Sequence, residues 1–392
     1  MAGIIVLTLG YVMSQFYRSF LSLMSPILSA DLQMDASELS YASGVWFLAF
    51  ALMQFPIGVW LDEYGPRRTS TYLLAIGGAG GSILFATATS GLQIIFAMGL
   101  IGVGCAPVLM ASFYLFARNY SAKNFALISS VLIGVGTLGN VIGSAPLAQA
   151  VEIFGWREVA FILAGISGLI AFCIMVFVRD PERIKSDASH GGVLDVLKIK
   201  SLWPIFLMLA LSYSIAAGIR GLWAGPYLED IFKLDIVEIG YVTLYMALAL
   251  SVGSFFYAPM DRLFKTRKWV VFTGNLILLL AVVWLAYGQA IYTFNVTIAF
   301  VIIGLFGSSY GVVMAHGKEF VPKHLLGRGV TLLNFFSIGG VGVMQFLTGA
   351  TFTSFRQEQV LLSGYTQIFI LYAVLLSFAL LCYAFCQDKK PV

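Results

Sequence analysis

Twelve apolar runs dominate this chain, each close to the roughly 20 residues an α-helix needs to cross ~30 Å of hydrocarbon. They fall at 3–29, 40–61, 70–88, 92–117, 125–150, 158–178, 202–228, 236–258, 269–288, 294–316, 329–353 and 364–386. No water reaches the middle of a bilayer to satisfy backbone N–H and C=O groups, so spanning runs of this length are expected as self-bonded helices. Composition points the same way. Hydrophobic residues make up 59% of the chain and charged residues 11%, against roughly 45–50% and 25% in soluble domains. The expected fold class is an all-α membrane protein with twelve transmembrane helices.

Connections between the runs are short, which makes neighbouring helices antiparallel. The longer polar stretch at 179–201, with Asp180-Pro181-Glu182 and Gly191-Gly192, reads as a solvated linker. It divides the chain into an N-terminal six-helix bundle (1–178) and a C-terminal one (202–392). Orientation follows from lysine and arginine. Of the 23 basic residues, 18 fall on the side of Arg67 and Arg68, and only Arg157, Lys233 and Arg356 on the other. Both termini and the linker are therefore expected to be cytoplasmic, in a multi-pass protein of a bacterial inner membrane. The first run is too long for a cleavable signal peptide and lacks its basic leader.

Several function classes find no support. Catalysis would need paired carboxylates, clustered His/Cys ligands or a nucleophile beside a base, and none appears in or beside the spans. Cys105, Cys173, Cys382 and Cys386 lie in apolar segments. The one-turn spacing of the last two reads as packing, and no metal or cofactor is expected. A Walker-type phosphate loop is absent from the sequence, so ATP is not the expected energy source. Nucleic acid is not an expected partner. The lipid bilayer is, and a monomer is the expectation.

The two halves repeat each other. Gly58-Val-Trp-Leu-Asp62-Glu-Tyr-Gly65-Pro-Arg67-Arg68 follows the second run, and Met260-Asp261-Arg262-Leu-Phe-Lys265-Thr-Arg267-Lys268 follows the eighth. The two aspartates stand 199 residues apart, about half the chain. An aspartate at a helix end followed by cations can form a charge cluster that favours one arrangement of the bundles and opens when they rock apart. Gly58, Asp62, Gly65, Arg67, Arg68, Asp261, Arg262 and Arg267 are the candidate conformational latch. The plainer alternative is a basic loop that sets topology alone.

Gly58…Asp62…Gly65…Arg67-Arg68 resembles the signature loop of the major facilitator superfamily, and the loop at Asp261 its weaker copy. Gly155-Trp156-Arg157 resembles a common external turn of that superfamily, and Glu319…Pro322…Gly327-Arg328-Gly329 its loop before the eleventh helix. The resemblance covers the whole chain and implies the major facilitator fold, two pseudo-symmetric six-helix bundles working by alternating access. The chain departs from the pattern at Glu63, where the family often has a basic residue. Met98 stands where many proton-coupled members carry arginine. The glycine-rich 134–146 segment has its proline displaced to Pro146.

Two basic residues lie inside spans. The first run contains Leu9-x-Tyr11-x6-Arg18 and the seventh Leu211-x-Tyr213-x6-Arg220, offset by 202 residues. Tyrosine and arginine seven apart share a helix face. An arginine near the bilayer centre costs about 2.5–3.5 kcal/mol on insertion scales, so a pair at equivalent places calls for a reason. No aspartate or glutamate lies well inside a span to neutralise them. Their forked donors suit a carboxylate, phosphate or sulfate brought from outside. The competing reading is structural, with each guanidinium snorkelling or capping carbonyls.

Paired arginines in helices one and seven resemble the arrangement in organophosphate/phosphate antiporters and related organic-anion transporters. Nitrate carriers use helices two and eight, where this chain has none. The expected function is a secondary active or facilitative transporter of a small anionic solute, an organic carboxylate or phosphorylated metabolite. Arg18, Arg220, Tyr11, Tyr213, Gln15, Tyr114, Tyr310 and Asn334 are the candidate substrate-binding residues. The histidines His190, His316 and His324 fall in or at the edge of cytoplasmic segments, so a coupling proton or counter-anion is left open. The alternatives are a proton-coupled carrier of amino acids, peptides or drugs, and a non-transporting receptor on the same scaffold.

Overall fold

The computed structural model describes residues 2–120, 122–181, 193–287, 292–322, 325–356 and 361–388. Glu182, His190, Gly191, Gly192 and His324 lie outside them. Among the described residues there is no β-strand. Ten helices among the described residues are long and apolar enough to cross a membrane, and two bent pairs, each taken as one span, make up to twelve. The chain forms two compact units, Met1–Lys185 with Leu234–Tyr241, and Ser186–Lys233 with Val242–Val392.

The first half supplies α1 (Ala2–Tyr17 and Phe20–Leu32, bent by 46°), α2 (Ala36–Glu63) and α3 (Gly65–Ala86). It continues with α4 (Gly91–Asn119), α5 (Val131–Ile142 and Ala145–Phe154, bent by 43°) and α6 (Trp156–Phe177). The second half supplies α7 (Lys200–Phe232), α8 (Ile236–Leu263), α9 (Lys268–Tyr287), α10 (Thr293–Lys318), α11 (Gly327–Phe355) and α12 (Leu362–Ala384).

The repeat reaches the helix caps. Gln33 and Lys233 both adopt left-handed backbone, at φ 55° and 56°. Two residues later Asp35 accepts from Glu38 N (2.8 Å) while Glu38 accepts from Asp35 N (3.2 Å). Asp235 and Glu238, 200 residues on, do the same at 2.8 and 3.0 Å. These reciprocal boxes satisfy donors that the first turns of α2 and α8 would otherwise leave orphaned.

Close packing within the first unit rests on glycine. A Cβ on Gly104 of α4 would overlap the backbone N of Gly78 on α3, and one on Gly102 the carbonyl of Trp46 on α2. Backbones can touch there only because no side chain intervenes, the usual device where lipid offers helices no hydrophobic drive to associate. Facing α4, residues Leu74–Gly80 of α3 form a π-helical stretch. At the end of α1 and the start of α6, Trp156 Nε1 donates to Asp31 (2.9 Å), and Arg157 donates to the carbonyls of Ala86 and Ala88 at 3.0 and 2.7 Å. The Gly155-Trp156-Arg157 turn thus ties α1, α3 and α6 together.

Candidate functional site

Arg18 sits at the break in α1. Residues 18 and 19 leave the helix between Tyr17 and Phe20, and Ser19 N turns back to Phe16 O at 3.0 Å. The side chain is 7% exposed. Its guanidinium carbon lies 4.9 Å from the ring centre of Phe50 and 5.9 Å from that of Trp46, both on α2. Those rings stack on each other at 5.4 Å, so an aromatic wall holds the cation by its quadrupole. Tyr17, just before the break, hydrogen-bonds Ser82 of α3 (2.7 Å) and Ser167 of α6 (3.1 Å). That anchors α1 on the side facing these helices.

Gln15, one turn before Arg18, donates through Nε2 to Oη of Tyr11, two turns before it, at 2.8 Å, and both residues are buried. A Cβ on Gly136 would overlap the Tyr11 ring, and one on Gly139 the carbonyl of Val12. The glycine-rich half of α5 therefore lets α1 approach closely beside the candidate residues.

Arg220 occupies the equivalent place in the second half and is likewise at an irregularity. Ile219–Trp223 is a π-helical turn inside α7, closed by Ala224 N donating to Ile219 O. Arg220 is 3% exposed. Side chains from α11 brace the turn. Gln345 Nε2 donates to Gly218 O at 3.2 Å, and Trp223 Nε1 donates to Thr348 Oγ1 at 2.9 Å. Single π turns persist inside helices where something holds them and are frequent at functional sites.

Two turns before Arg220 on α7, the ring of Tyr213 lies 5.8 Å from that of Tyr310, and Tyr310 Oη donates to Asn334 Oδ1 at 2.9 Å. All three are half-buried. Of the sequence-predicted residues, Tyr11 and Gln15 are bonded to each other in the first unit, where Arg18 lies against Trp46 and Phe50, and Tyr213, Tyr310 and Asn334 come together in the second. Tyr114 belongs to neither group. It lines a small cleft with Asp62, Gly65, Arg67 and Asp180, and its hydroxyl accepts from Arg118 at 3.3 Å.

The candidate latch differs between the halves. In the second, Arg267 makes ion pairs with Asp261 at 3.1 Å and Glu319 at 2.7 Å. Burial opposes charge on Arg267, but its hydrogen bonds to Glu319 and Asp261 outweigh that and raise its pKa. Arg262 is exposed. In the first half Asp62, Glu63 and Arg68 are exposed, and Gly58 has open space around it. The requirement there falls on Gly65, whose φ is +83° and where a Cβ would collide with the Asp180 carboxylate.

Asp180 and Asp388 are the residues that sequence reasoning passed over. Asp180 Oδ1 accepts from Arg67 N at 2.8 Å, at the first turn of α3. Asp388, 208 residues on, accepts from Lys268 N (3.1 Å) at the first turn of α9 and from Thr266 Oγ1 (2.6 Å). Each half therefore carries a carboxylate beyond its sixth span that caps its third. The repeat offset was the available signal, but Asp180 stood in a stretch composed like a linker.

Loss of such a cap costs about 0.5–2 kcal/mol. Asp180→Ala is expected to lower the thermal midpoint measurably, and Asp180→Asn to recover part of it.

Partial burial pushes the Asp388 carboxyl up, but bonds from Thr266, Lys268 and Arg267, with the nearby His316, outweigh it and leave its pKa below the ordinary range. A carboxyl depressed in the folded state contributes stability above its unfolded pKa of about 3.9 and loses it as pH falls through the folded value. The midpoint difference between wild type and Asp388→Asn should therefore persist from pH 7 to 5 and shrink below about pH 4.

The architecture is that of a polytopic α-helical membrane protein with a buried arginine at a helix irregularity in each half. The profile of the Major Facilitator Superfamily matches residues 7–222, and the chain belongs to that superfamily of membrane transporters. It is a multi-pass integral membrane protein and not an enzyme. It is similar to the fosmidomycin resistance protein of Escherichia coli (strain K12), 23% identical over 345 residues, with 86% of this chain and 83% of that protein covered. It also resembles a putative tartrate transporter of Agrobacterium vitis, 21% identical with 80% and 75% covered. The hexuronate transporter of Bacillus subtilis (strain 168) is 25% identical, with 70% and 68% covered. Among solved structures, an inward-facing, unoccupied bacterial homolog of the human lysosomal transporter Spinster superposes with a TM-score of 0.79. Its identity is 18%, and 97% of this chain and 95% of that one are covered.

Proposed function

We propose that this protein moves a small organic anion, a carboxylate of the sugar-acid kind, across a membrane by alternating access, with Arg18 and Arg220 binding it from the two halves. The observation that carries the reading is the placement of each arginine. Both are buried, 202 residues apart, and both sit where their helix leaves regular α geometry. Breaks in spanning helices are tolerated where the freed backbone is satisfied by protein or lines a cavity, and transporters use such breaks at substrate sites. Guanidinium forks recognise carboxylates bidentately. Tyr11 and Gln15 in one half and Tyr213, Tyr310 and Asn334 in the other supply the neutral donors and acceptors that orient hydroxyl groups.

Two of the similar proteins are named for tartrate and hexuronate, both carboxylates, which supports that cargo class; the third is named for resistance and not for a cargo. A positive site draws the anion in, and binding neutralises the charge that the arginines carry. In this reading the termini are cytoplasmic, the membrane is a bacterial inner membrane, and the ion pairs of Arg267 help hold one state.

The test is a thermal-shift screen of the detergent-purified chain. The panel is tartrate, hexuronates, glucarate, phosphate, sulfate, nitrate, amino acids and dipeptides. A ligand that binds only the folded state at 100 times its Kd stabilises by about 2.7 kcal/mol. A rise confined to dicarboxylates and sugar acids is expected. Stabilisation by amino acids or dipeptides alone would overturn the cargo class.

A further inference from the structure

A second cleft, separate from the candidate transport site, opens beside the Asp62 loop. It has a volume of about 510 Å³ and is lined by Trp60, Tyr64, Arg67, Arg68, Thr69, Tyr72, Leu73 and Met175. Two arginines face it, and among the described residues no carboxylate lines it. Asp62 and Asp180 line the smaller neighbouring cleft, which Arg67 and Arg68 also border, so the two arginines stand between the two clefts.

Arg67 spends only its backbone N–H on Asp180. Its side-chain Nε is buried with no acceptor among the described residues. The contrast with the second half is direct, because Arg267 is consumed by Asp261 and Glu319. Chemistry that is satisfied internally in one half is left open in the other, and an anion would satisfy it.

The surroundings say what kind of anion. Three of the lining residues are aromatic amphiphiles, of the type concentrated at membrane–water interfaces. From the cleft, apolar side chains continue along the outer faces of two helices. Ile76, one turn beyond Tyr72 on α3, is 68% exposed, and Phe172 on α6 is 65% exposed. Val176, one turn from Phe172 and next to Met175, is also exposed. A free phosphate or carboxylate would use the arginines and leave this apolar track unused. A phospholipid uses both, its phosphate on the arginines and an acyl chain along α3 and α6. Basic residues at a helix end beside the membrane are attracted to anionic headgroups.

We propose that this cleft is a binding site for an anionic phospholipid, whose headgroup phosphate is held by Arg67 and Arg68. Occupancy places a lipid against the Gly65 turn, so the lipid composition of the leaflet feeds into the loop that joins α2 to α3.

Native mass spectrometry of the detergent-purified full chain tests this with phosphatidylglycerol, phosphatidylcholine and inorganic phosphate as probes. Wild type is expected to retain phosphatidylglycerol in preference to phosphatidylcholine, and millimolar phosphate should not displace it. Occupancy should fall about fivefold for each arginine removed in Arg67→Gln and Arg68→Gln. Arg118→Gln, on a basic residue near the loop but outside the cleft lining, should leave it unchanged. Arg68→Glu guards against misfolding of the other variants, since Arg68 is exposed. It puts a carboxylate in the cleft and should reduce phosphatidylglycerol retention further than Arg68→Gln does. Equal retention of phosphatidylcholine, ready displacement by phosphate, or undiminished binding in the arginine variants each overturns the proposal.

Discussion

Arg220→Ala and Arg18→Ala will each abolish the stabilisation that the cognate anion gives the wild-type protein, while Arg220→Lys will keep a fraction of it. Truncating one partner of a buried, hydrogen-bonded charge pair costs about 2–5 kcal/mol. At that size an anion binding in the micromolar range would bind in the millimolar range, and its thermal shift would vanish at ordinary concentrations. Lysine restores the charge without the planar fork, so the gap between the lysine and alanine variants measures how much recognition is geometric. A transport assay in proteoliposomes should follow the same order. Because each arginine sits at a helix break, a purely structural role predicts a different pattern. The ligand-free midpoints of both alanine variants would fall steeply, and the anion-induced shift would survive. Measuring both midpoints separates the two accounts.

The twelve crossings were legible because lipid imposes one simple demand, a self-bonded apolar helix of fixed length. The expected 158–178 and 202–228 runs correspond to Trp156–Phe177 and Lys200–Phe232. The breaks were less legible. Near Arg220 the only local hints are Gly218 and Gly221, and what braces the π turn is Gln345 and Thr348, more than a hundred residues away. At Arg18 the helix parts with no proline at the break, since Pro26 lies inside the second segment. Long-range packing decides such places, and a single sequence read in windows does not contain it.

The candidate site was legible in part for a related reason. Charged residues in a membrane stand out by their cost, so Arg18 and Arg220 announced themselves. Tyrosines carry no such penalty. Tyr213 and Tyr310 do meet, with Asn334 bonded to the second, whereas Tyr114 has gone to the Asp62 loop. Asp180 and Asp388 were hidden because a capping carboxylate and a solvated linker carboxylate look alike until the helix it caps is known.

The largest effect on stability is expected at Gly104, in Gly104→Val. A Cβ there would run into the backbone of Gly77 and Gly78 on α3. Backbone cannot rotate aside as a side chain can, so α3 and α4 would have to separate. Overpacking a well-filled interior typically costs about 1–3 kcal/mol, and a clash with main chain belongs at or above the top of that range. Separation would also strip α3 of neighbours along Leu74–Gly80, where the helix is already π-helical and least able to stand alone. The expected result is a chain that aggregates in mild detergent, read as loss of the monodisperse peak in fluorescence-detected size-exclusion chromatography. Gly58→Ala is the matched control. It begins the Gly58…Arg68 motif but lies within α2, where a Cβ meets nothing within 4 Å, and alanine favours helix over glycine by about 1 kcal/mol. That variant should keep its peak and its midpoint. If Gly58→Ala collapsed and Gly104→Val did not, Gly58 would owe its place to an arrangement other than this one, and the close approach of α3 and α4 would not be what holds the first unit together.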